Sequence, residues 1–230
     1  FHLQPKVAIL GDWNRDLVKM YRCVAWNVEA VIRRLHQYRS DHGKDYYYAT
    51  REAWNDTERT WGNVDRAATF IYLNKTCFNG LWRVNKSGAF NVPMGRYKNP
   101  QIFSPPTLRA ASKLLRRTEL HRGSYIDCAS KAEAGDFVYF DPPYDPVNET
   151  AKFVSYTESA FGRDQQEELA RLARHLSDRG CSVMLSNHDT PFIRKIYKGF
   201  KIDQVMCPRA INSKASSRGA VAEVLIRNYK

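Results

Sequence analysis

An acid, two prolines and an aromatic residue stand in immediate succession at Asp141-Pro142-Pro143-Tyr144. A carboxylate and the neighbouring Pro142 carbonyl can together accept the two hydrogens of an amino group on a flat ring, while Tyr144 can stack on the ring's face. The four residues are therefore candidates for catalysis on an aromatic amine. Proline fixes φ and donates no amide hydrogen, so Pro142 and Pro143 cannot continue a sheet ladder and must form a fixed turn. The preceding run, Phe137-Val138-Tyr139-Phe140, is built of β-favouring residues and reads as a buried strand. In open α/β sheets ligands bind at the carboxyl ends of strands, which is where this turn stands.

Other elements must surround it. Val7 to Gly11 reads as a short strand running into Asp12-Trp13-Asn14, where Asp12 or Asn14 can cap the next helix. An acid at the end of a strand in a nucleotide-binding sheet is also placed to accept ribose hydroxyls, so Asp12 carries both readings. Leu17, Met20, Tyr21, Val24, Val28, Val31, Ile32 and Leu35 follow at helical spacing. Val64 to Leu73, Leu108 to Leu115 and Arg163 to Leu176 read as further helices, with Pro105-Pro106 closing the segment before the second. Strands are expected at Leu120 to Asp127 with its turn, Val183 to Asn187, Ile202 to Cys207 and Ala220 to Tyr229. The three tyrosines 46–48 read as partly buried. Asn79-Gly80 and Lys86-Ser87-Gly88 are turn signals in a hairpin or loop beginning at Lys75. Asn187-His188-Asp189 should sit near the Asp141 turn in a parallel sheet. His188 is expected to make a structural hydrogen bond, since no carboxylate or cysteine stands around it at metal-ligand spacing.

At 230 residues the chain suits one domain with an insertion better than two full domains. Five scattered cysteines without a Cys-x-x-Cys pair argue against zinc or a disulfide framework and for packing roles in a reducing compartment. The absence of a spanning stretch or signal pattern leads to the expectation of a cytoplasmic protein with no membrane or metal partner. The net charge of +12 is unevenly distributed: between Lys75 and Thr118 there are nine basic residues and no acid, interleaved with Phe78, Trp82, Phe90, Tyr97 and Phe103. A one-sign stretch carrying aromatics fits a surface that meets a phosphate backbone.

The Asp141-Pro142-Pro143-Tyr144 turn resembles the catalytic motif of adenine-specific DNA methyltransferases. Asn187 to Thr190, Phe90-Asn91-Val92-Pro93-Met94-Gly95-Arg96-Tyr97 and Asn79-Gly80-Leu81-Trp82-Arg83 are similar to segments of the Dam-type enzymes, which methylate adenine within GATC. The similarity covers almost the whole chain, in the right order. It implies a Rossmann-like α/β methyltransferase sheet with an inserted helical and hairpin target-recognition domain: core residues 1–38, insertion 39–115 and core residues 116–230.

The resemblance further implies S-adenosylmethionine as cofactor, held by Asp12 through its ribose, by Ser124 and Tyr125 around its adenine, and by Asp141. Many relatives have an acid where Ser124 stands. It implies double-stranded DNA as partner, in a bacterial, archaeal or phage setting associated with the nucleoid. Phe78 would wedge beside a flipped base, Asn79 would contact phosphate or a flank, and Leu81 and Pro93 would touch thymine methyls. Arg83 would grip a guanine edge, Tyr97 would meet the outer base pair, and Arg96 belongs to the same DNA-binding set. The family has Tyr where Phe78 stands, so a hydroxyl contact is lost while stacking is kept. The loop holding Phe153 and Tyr156 would lie beside the target adenine, and the basic loop from Arg209 to Gly219 would order against DNA. The family's lysine-bearing segment and Phe-x-Gly-x-Gly turn do not occur here, so the expectation is that a preceding segment or a second chain supplies them. Methylation of a cytosine amino group or of RNA, and a DNA-binding fragment inactive without that segment, stay open as alternatives.

Overall fold

The computed structural model describes residues 3–147, 161–208 and 220–230. Phe153, Tyr156, Ser159, Ala160 and the basic loop from Arg209 to Gly219 lie outside the described residues. Among those described are seven α-helices and six strands, a mixed α/β protein. The chain divides into two compact units, Phe1–Cys128 and Ala129–Lys230.

In the first unit, strand β1 (Ala8–Asp12) pairs in parallel with β2 (Thr118–Arg122), with Asp12 opposite Arg122. Helix α1 (Arg15–Ser40) follows β1. Asn14 starts it: its side chain accepts from the amides of Asp16 and Leu17, so Asn14, not Asp12, is the cap. Replacing Asn14 with Ala should cost about 1 kcal/mol of stability. Urea unfolding would read it, and an unchanged midpoint would count against the cap.

The expected apolar stripe of α1 is buried from Val24 to Leu35, while Leu17, Met20 and Tyr21 are partly buried against the same core. At Asn27 the helix leaves helical geometry, and the Ala25 carbonyl there accepts from Ser112 Oγ and Arg116 Nε, each at 2.8 Å. A side chain entering the main-chain ladder is a recognised cause of such a kink. Helix α3 (Asn63–Thr76) packs on α1, as does α4 (Pro105–Leu115). The prolines open α4 instead of closing the preceding segment, because the first helical positions need no amide hydrogen. The expected strand from Leu120 to Asp127 is shifted: β2 ends at Arg122, and α5 (Tyr125–Ala129) takes up the remainder.

Helix α2 (Lys44–Asn55) forms in a region that had no assignment beyond its tyrosines. Tyr46 and Tyr48 are partly buried, as read, whereas Tyr47 is fully buried. The stretch from Lys75 onward is no regular hairpin: 3-10 helix η1 (Phe78–Gly80) is followed by isolated bridges, Cys77 to Met94 and Val84 to Phe90. Asn79 and Gly80 both take positive φ there, at 54° and 65°, which explains the turn-forming pair.

The second unit holds a four-stranded mixed sheet in the order β3-β4-β6-β5, made of β3 (Phe137–Phe140), β4 (Ser182–His188), β5 (Lys201–Pro208) and β6 (Ala220–Arg227). β3 and β4 are parallel, whereas β6 runs antiparallel to both of its neighbours. Helix α6 (Arg163–Asp178) packs against β4 through a stripe that includes Leu169, Ala170, Ala173 and Leu176, and α7 (Pro191–Ile196) follows β4. β3 departs from the expected buried strand. It is an edge strand of this sheet, and Phe137 and Tyr139 are about half exposed on one face while Phe140 is buried. β-branched and aromatic residues suit any pleated surface, so the apolar run by itself did not distinguish edge from centre.

Candidate active site and nucleic-acid interface

The Asp141 turn leaves β3 beside the end of β4, which the parallel register brings alongside. Asp141 is exposed, and its Oδ1 accepts from Ser186 Oγ at 3.0 Å, a hydroxyl that also meets the Tyr139 hydroxyl at 3.0 Å. Pro143 presents its carbonyl to Gln166 Nε2 at 2.7 Å. Asp145 is tied to the β4 exit three times: its amide donates to Asn187 Oδ1 at 2.9 Å, its carbonyl pairs with His188 Nδ1 at 2.8 Å, and its Oδ2 accepts from Thr190 Oγ1 at 2.7 Å. His188 is thus a structural hydrogen-bonding group, as read. A carbonyl only accepts, so Nδ1 carries the proton.

The His188 ring meets Tyr144 edge to face at 5.0 Å between centroids. Burial pushes the Tyr144 phenol above its ordinary pKa, and the Asp141 charge adds to that, so the ring stays neutral at physiological pH. The site thereby offers an exposed carboxylate, a rigid diproline backbone and a neutral aromatic ring. Among the described residues no group of three His, Cys, Asp or Glu side chains could hold a metal ion, and no helix is long and apolar enough to cross a membrane.

In the first unit the seven residues read as DNA-binding gather on one pair of crossing segments. The Phe78 amide donates to the Pro93 carbonyl, and the Gly95 amide to the Thr76 carbonyl, each at 2.8 Å. Phe78, Leu81 and Tyr97 are 41%, 40% and 43% exposed despite being apolar, and Asn79, Arg83, Pro93 and Arg96 are exposed as well. Between Leu81 and Arg83, Trp82 turns inward to stack on Phe90 at 4.4 Å, so alternation sends its two neighbours outward. Arg83 Nε donates to Asn91 Oδ1 at 2.9 Å, which leaves the two terminal nitrogens of this exposed side chain without a hydrogen-bond partner among the described residues. Tyr97 lies over Gly95, where an added Cβ would come within 2.3 Å of the tyrosine ring.

Helix α2 holds this platform. Tyr47 Oη and Arg51 Nη1 donate to the Val92 carbonyl, and Asn55 exchanges two hydrogen bonds with the Phe90 backbone at 2.9 and 2.8 Å. These residues, missed in the sequence, stand at i, i+4 and i+8, a helical spacing legible in retrospect.

Asp12 lies at the carboxyl end of β1, with Oδ1 accepting the Asn14 amide at 2.6 Å. Ser124 and Tyr125 follow the end of the paired β2, and the Gly123 amide donates to the Asp12 carbonyl at 3.3 Å. Ser124 Oγ accepts the Ile126 amide at 3.1 Å. Trp13, beside Asp12, is 70% exposed, a flat apolar face that sequence reading passed over. A carboxylate, a hydroxyl and two aromatic residues past the carboxyl ends of two paired strands could hold a nucleoside, the acid suiting ribose hydroxyls and a ring suiting a base.

An exposed carboxylate on a diproline turn beside a tyrosine, and a basic, aromatic-bearing surface, fit the class of enzymes that modify nucleic-acid bases. The chain matches the D12 class N6 adenine-specific DNA methyltransferase family over residues 1–211, and it belongs to that family. It is 42% identical to the type II methyltransferase M.MjaIII of Methanocaldococcus jannaschii, covering 97% of this chain and 81% of the relative. It is 37% identical to the type II methyltransferase M1.LlaDCHI of Lactococcus lactis subsp. cremoris, covering 100% and 82%. With the DNA adenine methylase of Escherichia coli K12 the identity is 35%, over 94% of this chain and 77% of the relative. The protein is therefore an adenine-specific DNA methyltransferase, which sets aside the cytosine-amino alternative.

Proposed function

We propose that the protein transfers the methyl group of S-adenosylmethionine to the 6-amino group of adenine within GATC in duplex DNA. The core is read as a Rossmann-like sheet, with residues 39–115 as the target-recognition insertion. The observation that carries the specificity is the exposed cluster of Leu81, Arg83, Pro93 and Tyr97, with the Arg83 guanidinium held by Asn91. Arginine paired with a guanine edge and apolar groups against thymine methyls are the contacts major-groove geometry favours. The resemblance to Dam-type enzymes supports GATC as the sequence read.

The target amino group is inaccessible inside a duplex, so the adenine is flipped out. Asp141 and the Pro142 carbonyl accept its two amino hydrogens, and Tyr144 stacks on the ring. Asp12, Ser124 and Tyr125 would hold S-adenosylmethionine, which would supply an electrophilic methyl group on a sulfonium. Asp141 keeps the amino nitrogen electron-rich and its lone pair in line, a positioning and electrostatic role. The amine's lone pair would form the nitrogen–carbon bond as the carbon–sulfur bond breaks, and the methylated amine would then lose one proton to water or to the Asp141 carboxylate.

The test is methylation of single-substituted GATC duplexes by the wild type and Arg83→Ala. Discrimination at the guanine pair should fall by about 1–3 kcal/mol with little change on unrelated DNA. Equal loss on every duplex would assign Arg83 to the phosphate backbone, and wild-type preference for another site would overturn GATC.

A further inference from the structure

The buried polar side chains of the second unit, among the described residues, are Asp145, Gln166, Ser186, Asn187 and Thr190, and hydrogen bonds link all of them to the Asp141 turn or to one another. Polar groups out of water are retained where they are paired, and such a network rigidifies what it holds; here Asp145 Oδ1 alone has no hydrogen bond and meets Arg163 Nε at 3.6 Å. Gln166 occupies the first buried position on the stripe of α6 that continues with Leu169, Ala170 and Ala173, a place where packing alone would favour an apolar residue. It is 2% exposed, and both ends of its amide are used. Oε1 accepts from Asn187 Nδ2 at 3.1 Å while Nε2 donates to the Pro143 carbonyl at 2.7 Å.

We propose that Gln166 is a positioning residue for methyl transfer, setting the peptide planes of the diproline turn so that Pro142 and Asp141 accept the amine in line. Asn187 fixes the amide's orientation by donating to its oxygen, which leaves the nitrogen to face Pro143. The same Asn187 accepts the Asp145 amide, so one side chain references both halves of the turn to the end of β4. The inference rests on the reading of the turn as the seat of the acceptor amine.

Full-length protein in excess over unmethylated plasmid DNA, with saturating labelled S-adenosylmethionine, reads the chemical step without presupposing the target sequence. Gln166→Leu keeps the volume but offers Pro143 no hydrogen. Its single-turnover rate should fall about 10- to 100-fold, the scale of a small misplacement of reacting groups, with DNA and cofactor affinities unchanged. Gln166→Glu is the rescue: a carboxylate has no hydrogen for the carbonyl, whereas the protonated acid does. Its rate should therefore climb toward wild type as pH falls. Asp145 and His188 from the turn and β4, and Arg163 from α6 itself, are present in the wild type too, so its own pH profile is the control.

A wild-type rate in Gln166→Leu would overturn the proposal, as would a loss matched by weaker binding or a lower melting temperature that leaves the protein partly unfolded. Asp141→Ala, run alongside, separates the two readings. If it is inactive while Gln166→Leu is not, only the positioning role fails; if it keeps its full rate, the reading of the turn fails as well.

Discussion

Asp141→Ala is expected to reduce methyl transfer by about 10²- to 10³-fold, the loss that follows removal of one polar group aimed at reacting atoms. Duplex affinity should stay nearly unchanged. The separation follows from where the side chain sits. Asp141 is exposed at the strand end, so its truncation opens no cavity, and the Ser186 hydroxyl that it releases keeps its contact with the Tyr139 hydroxyl. On the proposed reading the carboxylate meets an extruded base, not phosphate, which it would repel. Asp141→Asn keeps the shape and one acceptor oxygen but loses the charge, so it should fall between wild type and alanine. Rapid-quench methylation beside an equilibrium binding titration makes the comparison, and wild-type turnover in Asp141→Ala would sink the catalytic assignment.

The second large effect is on salt. Affinity for any duplex should fall steeply with ionic strength, because each neutralised phosphate releases counterions. A protein making about six to ten such contacts loses about 10³- to 10⁵-fold between about 50 and 200 mM salt. The structure narrows which of the basic residues from Lys75 to Arg117 take part. Arg109 makes two hydrogen bonds to Glu29, at 2.6 and 2.8 Å, and Arg116 is spent on the Ala25 carbonyl. Arg96 and Lys98 are exposed beside Tyr97 on the proposed recognition surface. Lys98→Ala should therefore lower the salt slope by about one unit, the signature of a phosphate contact, while Arg109→Ala should leave it in place. A flat titration of the wild type would show that this charge has no phosphate partner.

Much of the architecture is carried by patterns of short range. The stripe from Val24 to Leu35, the apolar run of β4 and the Asn14 cap each depend on neighbours within one or two turns, and each forms close to where its pattern lies. Helix α2 did not show itself in the same way. Its buried residues, Tyr47, Thr50 and Trp54, are few and partly polar, and what holds the helix is the backbone of residues 90–92, some forty positions away in the chain. The α4 boundary and the exposed edge of β3 moved for related reasons. A proline pair reads equally as an end and as a beginning, and an apolar strand does not announce how many neighbours it has.

By itself the sequence determined the family and the candidates for its chemistry: the acid, the diproline and the tyrosine at the end of an apolar strand, and a basic stretch with aromatics outside it. Those are properties of residue type and order, and they survive any rearrangement of the chain's distant parts. Only the tertiary structure decided what holds them in place. That Asn91 accepts from Arg83, that Asn55 takes up the Phe90 amide and carbonyl, and that Gln166 joins Asn187 to Pro143 all depend on side chains separated in sequence meeting within hydrogen-bond distance. Periodicity can place such donors on one helix face, as with Tyr47, Arg51 and Asn55, but it does not name their partners, because a hydrogen bond constrains two atoms in space and says nothing about the residues between them.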